Sequence, residues 1–287
     1  MPQLNRREFL NHAAVSGTAL SVGGASLAAK PGHQRPRVAA IFTVLRFRSH
    51  AYNILENFLG PYYFRGKLID PGVDVVSFYA DQFPHDDMAK EVSRRFGIPL
   101  CKTIKEAMCV GGQNLAVDAV LSIGEHGNYP YNNRGQHLYP RKRFFDEAFS
   151  VMKKADRFVP FFNDKHLSYD WSEAKEMYDI CRQHRVPLIA GSSVPLAQRR
   201  PMLNLKPGAE IEEAVSIHGG GLESYDFHAL EVMQSIVEAR TVGETGIKSV
   251  KLVYGKAFEE ARKSGLWSTD LVDAAMKAEA DMNAVRQ

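Results

Sequence analysis

The chain has 287 residues, 45% hydrophobic and 24% charged, a globular profile that excludes a disordered or collagen-like protein. Lys+Arg 36 against Asp+Glu 33 leaves a formal net charge of +3 with no Lys/Arg-rich run of nucleic-acid type, which argues against a nucleic-acid partner. Cys101, Cys109 and Cys181 lack CxxC spacing, so a disulfide framework is excluded and only a Cys101–Cys109 bridge stays open.

Residues 1–29 read as an address label. Asn5-Arg6-Arg7-Glu8-Phe9-Leu10 precedes a small-residue, mildly apolar stretch, and Ser26-Leu27-Ala28-Ala29 suits a signal peptidase. This resembles a twin-arginine signal, which implies passage through the twin-arginine translocase to the periplasm or the exterior. That route carries folded proteins, often with a cofactor already in place. Gly17, Gly23 and Gly24 make the stretch too polar and too weakly helical for a membrane anchor, and no later segment approaches the ~18 apolar residues a span needs. A soluble mature product without stable membrane insertion is expected.

Residues 30–36 form a Pro/Gly-containing linker, after which strand and helix signals alternate. The apolar run 37–44 predicts a strand and 49–59 an amphipathic helix; 74–80 predicts a second strand ending at Asp81, and 87–96 a helix stopped by Gly97. Thr103 caps a helix to Val110, followed by a strand over 117–123, a helix over 143–154 and a strand over 157–162. A helix over 172–184 with Ser172 as N-cap and a strand over 186–190 complete the series. Continuous apolar strands alternating with helices predict an α/β fold: a parallel sheet, helices on both faces, over 37–200. Pro195, Pro201 and Pro207 then break the pattern. Residues 201–287 are expected to form a short α+β lobe with a helix containing His228, a strand over 247–254 and a terminal helix from Ser268.

In such a sheet ligands bind beyond the carboxyl ends of the strands. Those ends carry Gly124-Glu125-His126-Gly127, then Asn163-Asp164-Lys165-His166, then Gly191-Ser192-Ser193. Lys165 between Asp164 and His166, at a rim with low-dielectric walls, has the surroundings that tune a pKa for acid, base or orienting work. The first turn has no G-x-G-x-x-G. It reads Thr43-Val-Leu-Arg-Phe-Arg-Ser-His50, in which Arg46, Arg48 and Ser49 offer side-chain donors to an anion.

The order of these elements resembles the Gfo/Idh/MocA oxidoreductases, over roughly residues 37–255. Asn163-Asp164-Lys165-His166 stands where that family has Glu-Lys-Pro, so Lys165 matches its lysine. Gly219-Gly220-Gly221 leading to His228 resembles the element carrying the catalytic histidine, with Ser224 where an Asp is usual. Asp81 matches the acidic position that reads the adenosine ribose, and residues 118–123 match the strand before the nicotinamide-side loop, which here holds Glu125 and His126. The resemblance implies a Rossmann domain, NAD or NADP, and hydride transfer to or from a sugar or polyol, with Lys165, His228, His166 and Asp164 at the chemistry. It implies a ribose contact from Asp81, beside which Glu125 and His126 are cofactor-binding candidates; Arg46, Arg48 and Ser49, where the family has its glycines, are candidates on their own chemistry and could equally hold a sugar phosphate or carboxylate. No metal site is assigned. Two alternatives stay open: a cofactor-independent or metal-dependent hydrolase, lyase or isomerase using His50, Glu125, His126, Asp164, His166 and His228, or a periplasmic sugar-binding protein. Homo-oligomerisation is also open.

Overall fold

In the computed structural model, residues 34–240 and 245–284 are described, and the expected export signal lies outside them. Strands β1 (Arg37–Phe42), β4 (Asp74–Ala80), β5 (Leu100–Cys101), β6 (Ala119–Ile123), β7 (Phe161–Asn163) and β8 (Leu188–Ile189) form one sheet in the order β5-β4-β1-β6-β7-β8, with every neighbouring pair parallel. Numbered within the sheet this is 3-2-1-4-5-6, the doubly wound Rossmann order, with its switch point between β1 and β6.

Alternation along β1 shows why both faces are covered. Val38, Ala40 and Phe42 pack with Ala51 and Leu55 of helix α1 (His50–Leu55) and Ala89 of α2 (Ala89–Phe96). Ala39 and Ile41 join the opposite layer. There they meet Ile104 and Met108 of α3 (Ile104–Cys109), Phe144, Phe145 and Met152 of α4 (Arg141–Lys154), and Met177 and Cys181 of α5 (Trp171–His184). A strand buried on both faces must be apolar throughout, which is the pattern of residues 38–42.

Local chemistry sets the element ends. Thr103 accepts from the Glu106 amide at 3.0 Å, and Gly97 closes α2 at φ 66. The cap of α5 is Asp170 and not Ser172, since Asp170 Oδ1 accepts from the amides of both Ser172 and Glu173. The antiparallel pair β2 (Tyr62–Phe64) and β3 (Lys67–Ile69), absent from the sequence reading, turns at Arg65-Gly66, both at positive φ. Cys101, Cys109 and Cys181 are buried free thiols.

Beyond residue 200 the described residues contain helices α6 (Leu222–Val237), α7 (Lys256–Lys263) and α8 (Thr269–Ala284) and no strand. The expected strand at 247–254, and with it the β part of the lobe, is corrected: the segment has no neighbouring strand to pair with. Its apolar side chains Val250, Leu252 and Tyr254 are 70–85% exposed. No helix among the described residues is long and apolar enough to cross a membrane.

Candidate functional site

The switch point is pinned from both strands. The Thr43 amide donates to the Ile123 carbonyl at 3.2 Å, and the Thr43 hydroxyl donates to the Glu125 carbonyl. Glu125 itself is buried, and its carboxylate is held by two cations: the Arg141 guanidinium on one oxygen and Lys165 Nζ at 3.6 Å from the other. Arg141 is 1% exposed, lies over the Tyr139 ring and passes so close to Gly124 that a Cβ there would meet its Cγ at 2.8 Å. Burial lowers the Arg141 pKa to about 10, which leaves it cationic at neutral pH.

Around this ion triad stand four imidazoles. His166 Nε2 lies 3.3 Å from Arg141 Nη1, and because a guanidinium only donates, Nε2 accepts and Nδ1 carries the proton. Burial, with Arg141 and Lys165 adding repulsion, pushes the His166 pKa down to about 3. Burial, His50, Arg46 and Lys165 push His126 down to about 4. His50 opens α1 behind its N-cap Ser49, faces His126 with ring centroids 5.1 Å apart, and places Nδ1 2.5 Å from Asp164 Oδ2. His228, on α6, has Nδ1 2.5 Å from the Ser192 hydroxyl; burial and the charges of Lys165 and His50 lower its pKa.

Lys165 sits at the centre. Burial, together with Arg141, lowers its ammonium pKa against the opposing pull of Asp164. Its backbone has φ +64, a left-handed conformation that a lysine adopts only when its surroundings dictate it; His126 (φ +67) and Arg48 (φ +62) share it at the neighbouring strand ends. The Lys165 carbonyl accepts from Gly191 N at 2.8 Å, which draws in the β8 loop bearing Ser192. Phe227 rests against His166 with centroids 5.0 Å apart, so α6 closes over the cluster.

The structure therefore brings Lys165, His166, Asp164, His228, Glu125 and His126 together with His50. The remaining candidates are engaged elsewhere, although the Arg46 charge still reaches His126. Ser49 spends its hydroxyl on the Arg46 and Tyr52 amides. Arg46 and Arg48 project from the first turn, Arg46 3.8 Å from Asp86 and Arg48 over Phe47. Asp81 accepts from the hydroxyls of Tyr79 and Tyr129, each at 2.6 Å, and from Arg143 at 2.5 Å. Burial alone would raise its pKa, but these hydrogen bonds outweigh burial and hold it below the usual range. A second clasp joins the same strand end to the β6 loop, where Gln82 and Asn128 exchange hydrogen bonds of 2.8 and 2.9 Å.

These facts test the fit of a dinucleotide at the switch point. The Leu45 amide is taken by Asp87 and the Arg46 amide by Ser49, so the amide cradle of a glycine-rich turn is absent. The Arg46 and Arg48 side chains offer donors to a pyrophosphate. The ribose position at Asp81 is engaged by three donors of the chain itself. Among the described residues no group of three or more His, Cys, Asp or Glu is arranged to hold a metal ion.

Sequence reading placed Ser192 at a strand end without a role and gave none to Arg141 or Tyr129. Arg141 had a signal: Arg141-Lys142-Arg143 puts three cations in the first turn of α4, where the helix dipole disfavours them. Such a run needs anions from elsewhere, and Glu125, Asp146 and Asp81 supply them.

The half-buried imidazoles of His126 and His166 fix a pH dependence. His126 and His166 bind protons more readily unfolded, near 6.5, than folded, near 4 and 3. Their contribution to stability is present above about pH 6.5 and is lost as pH falls toward the folded values. The urea midpoint is expected to fall across that interval, and less steeply in His166→Gln. A midpoint flat through it contradicts neutral, half-buried rings.

No protein-family model matches the chain, and no curated protein sequence matches it. Among solved structures it is similar to a biliverdin reductase from Synechocystis in complex with biliverdin and NADP+ (15% identity, 57% of this chain and 39% of that one, TM-score 0.36). It is also similar to a UDP-N-acetylglucosamine 3-dehydrogenase from Acidithiobacillus ferrooxidans (11% identity, 55% and 39%, TM-score 0.36). A third is a scyllo-inositol dehydrogenase from Lactobacillus casei (9% identity, 58% and 38%, TM-score 0.37). The matched region spans about two fifths of each of these proteins, and at such scores the similarity assigns no activity.

Proposed function

We propose that the protein is an enzyme of the oxidoreductase type that acts on a hydroxyl of a sugar or polyol, exported by the twin-arginine route that residues 1–29 suggest. The observation that carries this reading is Lys165: a desolvated ammonium 3.6 Å from Glu125, within the electrostatic reach of His228, at the carboxyl edge of a doubly wound sheet. Lys165 orients and polarises the substrate oxygen. His228 stands beside it on the acid–base side of the reaction. Glu125 and Arg141 hold Lys165 in place through the buried ion triad.

A nicotinamide coenzyme, NAD or NADP, supplies or accepts the hydride when bound. In this chain its pyrophosphate would rest on the Arg46 and Arg48 side chains. Contacts of that kind are charge-dependent, so NADH affinity, followed by fluorescence titration, is expected to weaken with added salt. It should weaken further, about tenfold or more, in Arg46→Ala/Arg48→Ala, at roughly 1.4 kcal/mol per tenfold. Wild-type protein without measurable NAD(P)H affinity removes the coenzyme.

A second reading is favoured by the internally bonded amides of the first turn and the three donors on Asp81. In it the same Lys165 and imidazoles carry out an isomerisation, elimination or hydrolysis without a dinucleotide. Turnover of a sugar or polyol without added or bound nucleotide selects it.

A further inference from the structure

His50 on α1 and His228 on α6 lie within electrostatic reach of each other, His228 also of Lys165, and each presents Nδ1 to one residue of the fold. Their partners differ in kind. Asp164 is a carboxylate and, when ionised, only accepts, so the 2.5 Å contact requires the proton on His50 Nδ1. In the neutral ring the lone pair is then on His50 Nε2, for which the described residues supply no hydrogen-bond partner. The Ser192 hydroxyl accepts from the Val194 amide at 3.1 Å and lies 2.5 Å from His228 Nδ1, where it can donate its proton or accept with its second lone pair. With the hydroxyl as donor, His228 accepts at Nδ1 and carries its proton on Nε2.

We propose that Asp164 and Ser192 are positioning residues that hold His50 and His228 in opposite tautomers, making His50 the proton acceptor and His228 the hydrogen-bond donor of the site. This deepens the acid–base reading above and rests on it. In an oxidation, the proton leaving the substrate hydroxyl goes to His50 Nε2, and Asp164 stabilises the imidazolium that forms. His228 Nε2–H and the Lys165 ammonium donate to the same oxygen as negative charge develops on it. The O–H bond breaks and the N–H bond forms at His50; the carbinol C–H bond would break with its hydrogen passing as hydride to the oxidised nicotinamide coenzyme of the proposed function, leaving a carbonyl. His126, whose ring packs on His50, and His166, bonded to Arg141, are left with orienting parts.

The test is nitrogen NMR of full-length protein labelled with 15N-histidine, in mildly alkaline buffer. The two rings are assigned from the signals lost in His50→Gln and His228→Gln. The expected spectrum shows His50 protonated at Nδ1 alone and His228 at Nε2 alone. Asp164→Asn, whose amide donates to Nδ1, should reverse the His50 tautomer and lower turnover by about 10³–10⁴-fold, the scale seen when a triad aspartate becomes asparagine. Ser192→Ala should give mixed tautomers at His228, and Ser192→Thr, which keeps the hydroxyl, should restore the single one. The same tautomer at both rings, or an imidazolium at either, overturns the proposal. Opposite tautomers in a protein that turns over no sugar or polyol leave this assignment standing and remove the proposed function.

Discussion

Replacing Lys165 with methionine is expected to lower turnover by about 10²–10⁴-fold, the range that one positioned acid–base or orienting group contributes. Stability should change little. The stem of the side chain is retained, Glu125 keeps its contact with Arg141, and the methionine meets the same φ +64 backbone that lysine already tolerates. The effect should fall on kcat, because the ammonium acts most strongly as charge develops on the substrate oxygen. A variant that folds like the wild type and retains full activity removes Lys165 from the chemistry.

The largest effect on stability is expected at Arg141. Arg141→Met leaves the buried Glu125 carboxylate with Lys165, 3.6 Å away, as its remaining charged partner. Breaking a buried ion pair by removing one partner costs roughly 3–5 kcal/mol, and the presence of Lys165 places this case near 3. For a chain of this size that is a fall in Tm of roughly 6–12 °C. The double variant Arg141→Met/Glu125→Gln should recover part of the loss, since the buried carboxylate is gone and Lys165 keeps the pull of Asp164. A double variant no more stable than Arg141→Met would contradict an uncompensated Glu125 charge as the source of the loss, and Glu125→Gln alone completes the cycle that measures the coupling. The experiment also bears on function, because Arg141 and Lys165 share Glu125: Arg141→Met should depress activity at temperatures where the protein is still folded.

The sheet was legible in the sequence because its strands are buried on both faces. Runs such as 37–44 and 117–123 must then be continuously apolar, and the strand ends fall where polar residues crowd. That logic placed Lys165, Glu125 and His126 at one rim before any geometry was known. Periodicity says nothing of pairing between elements far apart in sequence. His50 meets Asp164 across 114 residues and Ser192 meets His228 across 36, and neither contact leaves a local pattern. The strand at 247–254 failed for the opposite reason: alternation is a local property, but a strand exists only where a neighbour supplies hydrogen bonds. The Tyr62–Ile69 hairpin was passed over because Arg65-Gly66 is not one of the common turn dipeptides, although its glycine carries the positive φ such turns require. Asp81 was read from its place at a strand end, and the three donors that surround it come from β4, the β6 loop and α4.

The most direct test is proton NMR of a panel of sugars and polyols incubated in deuterium oxide with the full-length protein, with and without NAD+ and NADP+. The wild type is expected to convert at least one polyhydroxylated member, either by oxidation that requires the nucleotide or by nucleotide-free rearrangement or exchange. Lys165→Met and His228→Gln, folded by circular dichroism, should leave the same panel unchanged. A panel untouched by wild-type protein, or conversion that persists at full rate in both variants, contradicts an acid–base site built on Lys165 and His228.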